Sequence, residues 1–111
     1  MIRLLGGALL LSISTLASAD PVAFKAISTG DLTKAERTLA SQVAAGSTEP
    51  GVLLNLAHVY RTTARAAQAQ ALYRQVLAEP NVQMGKPDGS PAWSHDLATA
   101  GLARASQFAA R

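Results

Sequence analysis

Apolar residues recur along this chain at helical spacing, and the breaks between runs fall at Gly and Pro. Leu53, Leu56, Ala57 and Tyr60 stand at i, i+3, i+4 and i+7, the stripe of a half-buried helix. Ala69, Leu72, Tyr73, Val76 and Leu77 form a second stripe that stops at Pro80. Trp93, Leu97, Gly101, Leu102, Ala105 and Phe108 form a third, opened by Ser90-Pro91. Upstream, Asp20-Pro21 opens a helix that Gly30 closes, and Asp31 caps another running to about Ala45, before Gly46. Thr48 or Glu49-Pro50 opens the helix that carries Leu53. β-branched residues never cluster, so no strand is expected. The pattern predicts an all-α domain of about five helices.

The helix pairs repeat. At an offset of 34 residues, Val22 recurs as Leu56, Ala23 as Ala57, Ala35 as Ala69, Leu39 as Tyr73 and Val43 as Leu77. Small residues meet small ones, and large meet large. Within Pro50 to Pro80 the order Leu53, Asn55-Leu56-Ala57, Tyr60, Ala69, Tyr73, Val76-Leu77 and Pro80 resembles one whole tetratricopeptide repeat. The resemblance implies antiparallel helix pairs stacked as a short right-handed solenoid, with Ala57 and Ala69 where two helices touch. The divisions implied are a truncated first repeat over 20–49, a second over 50–80, a connector over 81–89 and a capping helix over 90–111.

Several positions depart from the family pattern. Ala64-Arg65 occupies the helix turn where the family favours Gly followed by Asp or Asn. Ala26 replaces the aromatic seen at Tyr60, and Pro80 comes one residue early. After Pro80 a step ten residues longer restores the register, matching Leu97 to Leu53 and Gly101 to Ala57. The connector therefore reads as an insertion, and Arg104, where Tyr60 would recur, suits a cap with one solvated face.

The amino terminus reads as an export signal. Arg3 precedes an apolar, uncharged run from Leu4 to Ile13, and Ala17-Ser18-Ala19 has the small-x-small pattern accepted by signal peptidase. Cleavage is expected between Ala19 and Asp20, which makes 1–19 the signal and 20–111 one helical domain. The run is shorter than the roughly 20 residues needed to span a bilayer. No membrane association is expected after cleavage, and the chain has no cysteine to carry a lipid, a disulfide or a thiolate metal site. A periplasmic or secreted bacterial location follows as the expectation.

Composition narrows the chemistry further. A formal net charge of +3 spread along 111 residues, without a basic run, does not support nucleic-acid binding. Ser94-His95-Asp96 holds the residue types of a hydrolase triad, but consecutive helical side chains diverge by about 100° and cannot converge on one reaction centre. They read instead as the polar first turn of the last helix. His58 and His95, the only histidines, lie on different helices and give no metal-ligand set. The Gly85 to Ser90 segment lacks the spacing of a phosphate loop and reads as a turn-rich connector. No cofactor and no enzymatic activity are expected.

The resemblance also implies a concave groove lined by the first helix of each pair. Mapped onto this chain, the groove takes Leu54, Asn55, His58, Arg61 and Thr62 from the intact repeat. Phe24 and Ile27 come from the first helix, and Ala98, Leu102 and Ala105 from the last. An apolar floor flanked by His58 and Arg61 would suit an amphipathic segment or a peptide bearing a carboxylate. The expected function is an exported adaptor that binds a protein or peptide segment. The alternative is a structural component of an envelope assembly, or a homo-oligomer, in which the same surface packs on a neighbour.

Overall fold

A computed structural model describes residues 30–86 and 88–109, apart from the side chains of the last two of these. The expected signal, its Ala19–Asp20 cleavage point, the helix opened by Asp20-Pro21, the groove residues Phe24 and Ile27, and the Phe108 side chain lie outside the described residues. The described elements are helices α1 (Leu32–Ala44), α2 (Pro50–Thr62) and α3 (Ala66–Ala78), strands β1 (Gln83–Gly85) and β2 (Pro91–Trp93), and helix α4 (Ser94–Ala109).

Local chemistry sets the helix ends. Asp31 Oδ1 accepts the Lys34 N–H at 3.1 Å and caps α1. At its other end, Gly46 takes φ +99°, its N–H reaches the Val43 carbonyl and that of Ser47 reaches Gln42, which closes the helix with a left-handed residue. Pro50 stands in the first turn of α2, where a missing N–H costs no helical bond. The end of α2 repeats the closure of α1 with a different residue. Ala64 takes φ +65° while the Arg65 N–H reaches the Tyr60 carbonyl at 2.8 Å. Alanine thus holds a conformation that glycine adopts without steric cost.

α1 packs on α2, α2 on α3, and α3 on α4, with α4 also reaching back to α2. Hydrogen bonds fix the directions. Gln70 near the start of α3 meets Ser106 near the end of α4, and His95 at the start of α4 meets Glu79 just past the end of α3. Those two helices are antiparallel. Ala57 and Ala69 are fully buried, as are Leu39, Leu53, Val59 and Val76. Each buried leucine or valine contributes about 1.5–3 kcal/mol of transfer free energy, set against the entropy of ordering it.

The region after Pro80 differs from the sequence expectation. Ser90-Pro91 does not open the last helix, and 81–89 is not an irregular connector. Gln83↔Trp93, Met84↔Ala92 and Gly85↔Pro91 pair as an antiparallel hairpin, and α4 begins only at Ser94. Asp88 Oδ1 accepts from the Ser90 N–H at 2.9 Å and from its hydroxyl, and Gly89 takes φ +87° to close the turn. The Lys86–Ser90 and Val82–Ser94 bonds make Met84–Ala92 the hydrogen-bonded pair between them. Pro91 falls at an outward-facing position, where its missing N–H is not needed. Alternation buries Met84 and turns Trp93 outward, so Trp93 is 46% exposed instead of lying in the apolar stripe.

Candidate functional site

The residues expected to line a groove divide between two duties. Leu54, Asn55, His58 and Arg61 are half-buried on α2, and Leu102 is half-buried on α4, the helix that returns to α2. Ala98 and Ala105 do not join them: both are fully buried core residues. The reason is the close approach of α4 to α3. Ser94, Ala98, Gly101 and Ala105 recur at i, i+4, i+7 and i+11 and are all buried, so the packing face of α4 is a stripe of small residues. The larger Leu97 and Leu102 flank that stripe and remain half-buried.

Leu54 and Leu102 also pack against the core cluster, so neither is a free groove contact. Thr62 is exposed, but its hydroxyl donates to the His58 carbonyl at 2.8 Å within its own helix. Asn55 differs. Its amide makes no hydrogen bond among the described residues, although the side chain is half-buried.

Charge gathers at the far end of this face. Arg61 Nε donates to the Tyr73 hydroxyl at 3.3 Å, and its Nη2 donates to His58 Nδ1 at 3.1 Å. A guanidinium only donates, so Nδ1 accepts, and the neutral ring carries its proton on Nε2. Burial holds the His58 pKa below its ordinary value, and the positive charges of Arg61 and Arg104 lower it further. Neither arginine has a carboxylate partner among the described residues. The ion pair there is between Arg65 and Glu36, closing at 2.6 Å. Sequence spacing found His58 and Arg61 and placed Arg104 on a solvated face, where it is exposed, but it gave Tyr73 no polar role and did not bring the Arg104 charge near His58.

The other chemistry-bearing residues are committed to structure. Ser94 is fully buried; its hydroxyl accepts from the Val82 N–H at 2.9 Å and donates to Asn81 Oδ1 at 3.3 Å. The same Asn81 oxygen accepts the His95 N–H at 3.0 Å, so Asn81 caps α4 from across the hairpin. His95 Nε2 donates to the Glu79 carbonyl at 2.7 Å. Ser94 and His95 thus face different partners and fasten the hairpin to α4. An open depression of about 430 Å³ lies at the opposite end of α2, lined by Gln42, Gly46, Ser47, Glu49 and Val52, with no cluster of functional groups. No group of three or more potential metal ligands occurs among the described residues, and no helix among them is long and apolar enough to cross a membrane.

Comparison with known proteins finds no family model, no curated protein and no solved structure that matches this chain.

Proposed function

We propose that this protein is an exported adaptor of the tetratricopeptide type, which binds a protein or peptide segment along the face shared by α2 and α4. One observation supports the reading above the others. The Asn55 amide has no partner among the described residues, and half-buried Arg61 and exposed Arg104 have no acidic partner among them. Half-buried Leu54 and Leu102 leave part of their apolar surface open beside the core. Apolar area with a few unsatisfied polar groups is what a segment-binding groove presents to its ligand. The order of helix contacts and the fully buried Ala57 and Ala69 agree with stacked helix pairs. Export to a periplasm belongs to the proposal and rests on Ala17-Ser18-Ala19. So does the reading as a binding module with no catalytic role, no cofactor and no nucleic-acid ligand.

The test compares capture of one identified partner by wild type, Asn55→Ala and Arg104→Gln, with melting curves alongside. Both variants should melt within a few degrees of wild type and bind more weakly, by roughly one decade for a lost charge-assisted contact. Unchanged binding by both would remove this face from the function. Self-association is the second reading, and the 46% exposed Trp93 on the hairpin favours it. Light scattering that gives a dimer for wild type and a monomer for Trp93→Ser would establish that alternative.

A further inference from the structure

We propose that the His58–Arg61–Arg104 cluster receives a carboxylate of an acidic peptide segment, and that His58 takes up a proton as the carboxylate arrives. The inference rests on the α2–α4 binding face proposed above and names the chemistry of its ligand. The geometry of Arg61, His58 and Tyr73 carries it, and the charge of Arg104 adds to it. Arg61 is half-buried, and its guanidinium spans two neutral acceptors, the Tyr73 hydroxyl of α3 and His58 Nδ1 of its own helix. Arg104 of α4 is exposed and adds its charge to the same locality. Two positive charges therefore bear on a titratable ring, with no carboxylate paired to either among the described residues.

The hydrogen bonding of His58 makes the cluster incomplete in one protonation state. With Nδ1 unprotonated, the ring accepts from Arg61 and that bond has a donor facing an acceptor. With Nδ1 protonated, two N–H donors confront each other and the Arg61 bond is lost. A carboxylate resolves the conflict because it accepts from several donors at once, a protonated imidazole and a guanidinium included. The proton moves from solvent to Nδ1, the Arg61–His58 bond breaks, and both groups donate to the anion. Charge balance favours this: the unliganded cluster resists a third positive charge, and the carboxylate compensates for it.

Among the described residues, the charges that bear on His58 are those of Arg61 and Arg104, and no carboxylate stands beside them. On α1, Glu36 is held by both Nη atoms of Arg65. From α3 the polar neighbour is the Tyr73 hydroxyl, and from α4 it is Arg104. The hairpin's Asp88 is bound to Ser90. Capture should therefore tighten as pH falls, while the peptide's own carboxylates stay ionised.

Calorimetric titration of the purified protein with a capped hexaglutamate peptide tests this at about pH 5.5, 6.5 and 7.5, in buffers of different ionisation enthalpy. One linked proton changes affinity by at most about tenfold per pH unit, and a total gain of roughly tenfold over the range is expected. Proton uptake should accompany binding at pH 6.5. His58→Gln keeps an acceptor for Arg61 and should bind with no pH slope, whereas Arg104→Gln should weaken binding at every pH. Peptide binding without proton uptake, or an unchanged slope in His58→Gln, would overturn the proton linkage and leave the binding face in place. No peptide binding at any pH would overturn the carboxylate assignment itself. The capture comparison with Asn55→Ala then decides separately whether the face binds protein at all.

Discussion

The ring of Tyr73 fills the space that a Cβ of Gly101 would need. A methyl built on Gly101 falls among Cε1, Cζ and Oη of that ring, closer than nonbonded atoms approach. Tyr73 is 3% exposed and its hydroxyl accepts from Arg61, so one side chain packs α3 on α4 and positions the polar end of the candidate site. The absence of a side chain at Gly101 is what lets the helices come together.

Gly101→Ala should therefore cost roughly 1–3 kcal/mol as the ring shifts, lowering Tm by about 4–8 °C per kcal/mol for a domain of this size. Tyr73→Phe keeps the ring and should lose only the hydroxyl's bond, roughly 1 kcal/mol. Thermal melts of both variants check this. Wild-type melting of Gly101→Ala would mean that α3 and α4 do not cross at this point.

Ala64→Gly should stabilise the protein by about 1 kcal/mol, because it removes the left-handed strain that Ala64 carries at φ +65°. Gly46 closes α1 in the equivalent place without that strain. Chemical denaturation with an unchanged m-value is the appropriate readout, and a loss of stability would contradict the backbone conformation.

Asn81→Ala should cost about 1–2 kcal/mol and speed hydrogen exchange at the start of α4, since the His95 N–H and the Ser94 hydroxyl both donate to its side chain. Native-state exchange on the wild type and the variant measures it directly. Equal protection at His95 would show that Asn81 is not the cap.

How far the sequence revealed this arrangement depended on the range of each interaction. Helices α1 to α3 were legible because apolar spacing, Asp31, Gly46, Pro50 and Pro80 act within a turn or two of themselves. The hairpin was not. Its strands are three residues each, too short for alternation to register, and Ser90-Pro91 carries the same signature as a helix start. The cap of α4 comes from a residue 14 positions away, which no local rule detects. For the site, helical spacing placed His58 and Arg61 on one face. The role of Tyr73 and the nearness of Arg104 depend on how α3 and α4 pack. Ala98 and Ala105 were expected in the groove because the small-residue face of α4 was not recognised as its packing face.

Stability should fall as the solution is acidified, in two stages. Burial, then Arg61 and Arg104, hold His58 below its ordinary 6.5. The hydrogen bond from Arg65, aided by its charge, holds Glu36 below its ordinary 4.5. Each group binds a proton less readily in the folded chain than in the unfolded one. The stabilisation is complete above the ordinary value and is lost as pH falls through the depressed one. The Arg65 and Glu36 side chains are 35% and 30% exposed, so solvent screening makes the second stage shallow. Melting curves from about pH 8 to 3 should show His58→Gln flattening the upper part of the decline and Glu36→Gln the lower part. Parallel curves for wild type and His58→Gln would contradict the burial and charge placed around the ring.

Site-specific photocrosslinking in intact cells shows whether the proposed face of α2 and α4 meets a partner. A photoreactive residue would replace Asn55 or Arg104 on the proposed face, Arg74 on the exposed side of α3, and Trp93 on the hairpin. Asn55 and Arg104 are predicted to give the same covalent adduct with one heterologous protein, with neither Arg74 nor Trp93 giving it. Adducts formed only from Trp93 or Arg74, or only with a second copy of this chain, would rule out recognition of a partner along α2 and α4.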